Sequence, residues 1–139
     1  MTYASQTDLQ ERFGLPELLH LTDEANSGSV DSVRVSRALE DADAEINGWL
    51  AARYSLPLST PPALLKRLAC DLARYHLYGV RVADAVRQRY EDAGKLLKAL
   101  SLGQMQLGDS ATLPVAPAIS GIGISAPARV FASDTLSDY

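Results

Sequence analysis

The stretch DSVRVSRALEDADAEINGWLAAR, Asp31 to Arg53, decides the fold class. Val35, Leu39, Ala42, Ile46, Trp49, Leu50 and Arg53 recur in it at helical spacing. At about 100° per residue they share one stripe, the mark of a helix with one face turned to a core. Glu40, Asp41 and Glu45 fall well off the stripe, and Asp43 sits at its edge. Asp31 stands ahead of the first periodic residue, where a capping side chain belongs.

Upstream, Asp23, Asn26, Ser27, Gly28 and Ser29 have the chemistry of a loop over Thr22 to Val30. Before it, Thr7 and Gln10 have capping-box spacing, which starts a first helix after Thr7 and stops it at Gly14. Pro16 suits the first turn of a short second piece over Glu17 to Leu21. Downstream, the chain turns at Leu56-Pro57-Leu58-Ser59, and Thr60-Pro61-Pro62 opens another helix. Its buried face takes Leu64, Leu65, Leu68, Leu72 and Tyr75, and Gly79 closes it. Arg67, Asp71 and Arg74 line one flank at salt-bridge spacing. A last helix runs from near Asp84 to just before Gly103, with Val86, Tyr90, Ala93, Leu97 and Leu100 inside and Arg87, Glu91 and Lys95 as an outer ladder.

The expected fold is therefore all-α, a small helical bundle of about four helices over residues 1–103, with a long extended C-terminal arm over residues 104–139. The arm holds repeated Pro and Gly and has no helical period. Leu113, Val115, Ile119, Ile122, Ile124, Val130 and Phe131 nevertheless make it too apolar for a solvated tail. Ile119, Ile122, Ile124 and Phe131 are the candidate anchors by which it lies on another surface.

A chain of 139 residues has room for one compact domain, and 47% hydrophobic content suits a globular one. Cys70 is alone, so no intrachain disulfide forms and nothing points to an oxidising compartment. The first ten residues lack the basic start and apolar centre of a signal peptide. The most weakly charged stretch, Ser110 to Ala128, holds three prolines and two glycines, so no membrane span is expected. The expected place of manufacture is a cytoplasm.

The formal net charge of −4 conceals a division. Residues 1–52 carry three basic against ten acidic groups, and residues 53–98 carry nine basic against four acidic. Such a molecule either pairs its halves inside one bundle or offers them to a second copy of itself, and the sequence leaves both open. The candidate subunit-interface residues are Glu40, Asp41 and Glu45 on the acidic side and Arg67, Arg74 and Arg87 on the basic side.

Motifs of catalysis and ligation are missing. His20 and His76 have no second metal-type ligand at helical spacing, and Cys70 sits beside Asp71, which raises a thiol pKa. Asp23 to Arg34 has the length of a calcium loop, but Ala25 and Arg34 occupy ligand places. Gly121-Ile122-Gly123 lacks the third glycine and following helix of a phosphate cradle. The expectation is no enzyme, no metal and no cofactor. The basic residues of the second half leave a small helical DNA-binding regulator as the alternative function, against which the acidic whole argues.

Three stretches are distinctive as a set: Tyr3-Ala4-Ser5-Gln6-Thr7-Asp8-Leu9 with Arg12-Phe13-Gly14; Ala42-Asp43-Ala44-Glu45-Ile46 followed by Leu50, Arg53, Tyr54, Leu56, Pro57 and Leu58; and Leu68 through Tyr78. Arg89-Tyr90-Glu91-Asp92-Ala93 and Arg129-Val130-Phe131 extend them. In this order the chain resembles the small neck proteins that Mu-like phages and prophages encode among their head and tail genes. The resemblance implies a head–tail connector, adaptor-like and structural, repeated as a homo-oligomeric ring, a dodecamer, beneath the portal. Its implied partners are copies of itself, the portal protein and a stopper or tail-terminator protein, with no specific nucleic-acid binding. Its implied place is the neck of a virion assembled in the bacterial host cytoplasm. No catalytic residue comes with the resemblance.

Overall fold

The computed structural model describes residues 2–108, and every described element is a helix: α1 (Gln6–Phe13), α2 (Leu15–Thr22), α3 (Ser32–Leu50), α4 (Ala63–Tyr78) and α5 (Asp84–Ser101). The all-α expectation holds, and the piece after Pro16 is a full two-turn helix. The arm anchors Ile119, Ile122, Ile124 and Phe131 lie outside the described residues.

The chain enters through Ser5, not Thr7. Ser5 Oγ accepts from the Asp8 backbone N–H, and the Asp8 carboxylate accepts from Ser5 N–H at 2.8 Å, a closed capping box. Ala4 and Leu9, just before the cap and four residues after it, are both buried. That apolar pair selects Ser5 over Thr7, whose polar partner at Gln10 brings no core residue with it. Gly14 ends α1 and starts α2 at once. Its φ of +90° lets the chain reverse within one residue, a conformation that a side chain disfavours. The loop to α3 is held by Thr22, whose buried hydroxyl donates to Leu18 C=O at 2.7 Å and accepts from Asp31 N–H at 3.2 Å. Asp31 caps α3 as expected, accepting from Val33 and Arg34 N–H.

Helices α3, α4 and α5 form the main body. α3 buries Val35, Ala38, Leu39, Ala42, Ile46 and Leu50, and α5 buries Val86, Ala93, Leu97 and Leu100. Trp49, which the stripe placed inside, is 36% exposed at the end of α3. α4 is different, because it is packed from several sides. Leu65, Leu68, Ala69, Cys70, Leu72, Ala73 and Leu77 are all buried, which covers far more than one stripe. Ala69, Cys70 and Ala73 keep the neighbouring helices close, since small side chains let helix axes approach.

The last turn of α5 ends in a Schellman motif: Gln104 N–H donates to Ala99 C=O and Gly103 N–H to Leu100 C=O. This reversal folds the chain back over the bundle. Met105 packs against the core, Leu107 is buried, and Leu107 N–H donates to the Tyr54 hydroxyl at 3.2 Å. The core therefore continues beyond Gly103, where the sequence reading had closed the bundle. The helical period ends there, but apolar packing does not.

Candidate subunit-interface surfaces

Polar groups capable of chemistry are mostly used in packing. Cys70 is buried on α4, and desolvation pushes its thiol up to about 11. A thiol held protonated is a poor nucleophile. Asp43 is 7% exposed and accepts the Tyr3 backbone N–H at 3.0 Å, which pins the N-terminal segment to α3. Burial raises the Asp43 carboxyl above its usual range, and the Tyr3 bond offsets only part of that. Among the described residues no group of three or more His, Cys, Asp or Glu is placed to hold a metal ion, and no helix is long and apolar enough to cross a membrane.

The six residues singled out by charge separate into two kinds. Glu45 is taken up inside the subunit. Its carboxylate accepts from Tyr90 OH on α5 at 3.1 Å and lies 3.5 Å from His76 Nε2 on α4. Tyr75 and Tyr90 stack beside it with ring centres 3.9 Å apart, and His76 meets both edge-on. Burial first, and the Glu45 carboxylate second, raise the Tyr90 hydroxyl's pKa. Arg74 is likewise internal. Its Nε donates to Glu17 at 2.7 Å, Tyr78 OH donates to the same carboxylate at 2.9 Å, and the guanidinium lies 4.3 Å from the Phe13 ring centre. One arginine thus joins α1, α2 and α4, and the flanking row Arg67, Asp71, Arg74 does not pair along the helix.

Glu40, Asp41, Arg67 and Arg87 are exposed. Arg87 is held by Asp84 one turn back at 2.6 Å, not by Glu91. Asp71 is buried and reaches across to Arg89 of α5 at 3.5 Å. A hollow of about 380 Å³ lies between α1, α4 and α5, with Arg12, Arg67 and Arg89 and the carboxylates of Asp71 and Asp92 around a floor of Leu68, Ala93 and Leu96. Arg12 carried no signal at the sequence level because it sits in the acidic half, and only the docking of α1 brings it to the basic helices.

Glu40 and Asp41 lie on the outer face of α3. Asp41 shares a second hollow with Arg34, Arg37, His76 and Leu77. Arg67 and His76 are nine residues apart on α4, about 180° at 3.6 residues per turn. Asp41 and the arginine hollow are therefore on opposite sides of α4. Pairing between the two halves of the chain is partial: Lys66 to Asp8 at 3.2 Å, Arg74 to Glu17, and His76 beside Glu45.

Comparison with known proteins identifies a phage family. The family model described as Bacteriophage Mu, Gp36 matches residues 3–123. The Mu-like prophage FluMu protein gp36 of Haemophilus influenzae is 40% identical over 106 residues, covering 76% of this chain and 75% of that protein. Gene product J of Escherichia phage Mu is 33% identical over 118 residues, 84% of each chain. Neither name describes an enzyme.

Proposed function

Because this chain belongs to the bacteriophage Mu Gp36 family, we propose that it is a structural head–tail connector subunit, forming a ring between portal and tail. The observation that carries the reading is the charge that folding leaves outside. Internal pairs consume Asp8, Glu17 and Glu45 from the acidic half, yet Glu40 and Asp41 stay exposed on α3, Asp41 across α4 from the hollow that holds the exposed Arg12 and Arg67. Unlike faces on opposite sides suit head-to-tail contacts, which close into rings, whereas self-complementary faces give two-fold dimers. The groups that could carry a reaction, Cys70, His76, Glu45 and Asp43, are engaged in packing, so the role is assembly and not catalysis.

In this reading the ring is a dodecamer in the virion neck, and residues beyond 108 dock on the portal, a stopper or a tail terminator through Ile119, Ile122, Ile124 and Phe131. Large apolar side chains seated in pockets dominate such contacts. Removing the gene from a phage that carries it should give DNA-filled heads without tails, and the protein should be found between portal and tail in purified particles. Infectious particles without the chain would end this reading. Sequence-dependent retention of duplex DNA at physiological salt would favour a regulator instead.

A further inference from the structure

We infer that successive copies contact one another through one defined pair of surfaces: the outer face of α3, bearing Glu40 and Asp41, seats in the neighbour's hollow between α1, α4 and α5, against Arg12 and Arg67. The inference rests on the ring reading and specifies its contact.

Three observations lead to it. Arg12 and Arg67, like Arg37, Arg53, Arg81 and Lys98, have no ion-pair partner among the described residues, and these two line the same hollow. The two carboxylates that also line the hollow are already engaged, Asp71 by Arg89 and Asp92 by Lys95, which leaves the charges of Arg12 and Arg67 open to an incoming carboxylate. The hollow has an apolar floor in Leu68, Ala93 and Leu96, so an entering surface gains burial as well as charge pairing. Glu40 and Asp41 are the carboxylates left exposed on α3, with Arg37 beside Asp41 as the one exposed cation, and Ser36 and Ala44 flank Glu40 one turn away on either side. Small neighbours allow close approach by another surface. Because Asp41 and the arginine hollow face opposite ways about α4, they cannot meet within one subunit. They can meet between copies. Glu45, Arg74 and Arg87 take no part in this contact, since each already has a partner in its own chain.

The test uses the full-length chain and sedimentation velocity over a range of concentration and salt. Wild type should associate at low salt and dissociate near 1 M, where screening acts within about 3 Å. Two reversed variants, Glu40→Lys with Asp41→Lys and Arg12→Glu with Arg67→Glu, should each stay monomeric with helix content unchanged. Mixed together they should associate again, because the lysine face of one variant then meets the glutamate hollow of the other, and the two unaltered surfaces still match. The fourfold variant should also assemble by itself. The neutral changes Glu40→Gln and Arg67→Gln provide a milder check. Each should weaken association by about threefold, the scale of an exposed ion pair, and the two together by less than the product.

Wild-type rings indifferent to both reversals would overturn this contact and leave the ring standing. Reversed variants that fold but do not recover on mixing would overturn it too. A wild-type chain that remains monomeric at every concentration, and in the presence of tail-less heads, would overturn both the contact and the ring.

Discussion

Asp43 and Arg74 show how single polar groups fix the fold by being buried with partners. Asp43→Asn keeps an oxygen for the Tyr3 N–H and removes a carboxylate that burial penalises, so the variant should be at least as stable as wild type at neutral pH. Its advantage should shrink as pH falls through the raised Asp43 value, because native Asp43 then takes up its own proton. Asp43→Ala, with no acceptor left, should cost about 1–2 kcal/mol in urea unfolding. Arg74→Ala frees the Glu17 carboxylate in a partly buried place and should cost about 2 kcal/mol, which Arg74→Lys recovers incompletely because an ammonium lacks the planar stack on Phe13. Alkaline pH acts on Cys70, Tyr3, Tyr78 and Tyr90 together. All four are raised, chiefly by burial, so the fold favours their neutral forms. The stability they contribute is full below their unfolded values and is lost as pH rises through the folded ones. Thermal melting should therefore hold to about pH 9 and decline through about pH 11, the ordinary and shifted values of the Cys70 thiol, and Cys70→Ala should flatten the first part of that decline.

At the scale of elements, the ends of the helices carry most of the testable content. The α1 cap was misplaced by two residues from spacing alone, since Ser5 with Asp8 and Thr7 with Gln10 satisfy the same pattern. Ser5→Ala should lower stability by about 1 kcal/mol, while Thr7→Ala should leave it nearly unchanged, a contrast that chemical denaturation resolves. The close of α5 was legible as a stop at Gly103, but its consequence was not. Gly103 has φ of +73°, and a side chain there would be both strained and driven into the Arg53 guanidinium. Gly103→Ala should cost at least about 1 kcal/mol and loosen the return of Leu107 to the core. The outer ladder on α5 illustrates a weaker kind of inference. Arg87 and Lys95 found Asp84 and Asp92, each three residues back, and not Glu91, because several exposed carboxylates are nearly equivalent on a solvated face.

For the whole molecule, the question is where the bundle stops. A chain ending at Gly108 keeps Met105, Leu107 and the bond from Leu107 to Tyr54, whereas one ending at Gly103 loses all three. The first truncation should match wild type in circular dichroism and melting. The second should melt several degrees lower, since burying a leucine is worth about 1.5–3 kcal/mol. Equal melting of the two would show that the return over the core adds nothing. In a phage background the Gly108 truncation should fold yet fail to join heads to tails, and infectious particles from it would remove the docking role from residues 109–139.

What the sequence determined alone was periodic: which segments are helices, which face of α3 and α5 is apolar, where Asp31 and Gly79 punctuate the chain, and the residue set that resembles a Mu-like neck protein. These are local properties, written in residues three and four apart. What only the tertiary structure decided was non-local. A one-stripe reading could not see that α4 is enclosed on several sides, and so it left Asp71 on an outer flank. It could not see that Glu45 and Arg74 spend their charge within the subunit, because their partners, Tyr90 and Glu17, are distant in sequence. Nor could it place Arg12 beside Arg67. Charge along a chain is additive, but which charges remain free depends on the geometry that packing imposes, and packing follows apolar burial before it follows charge.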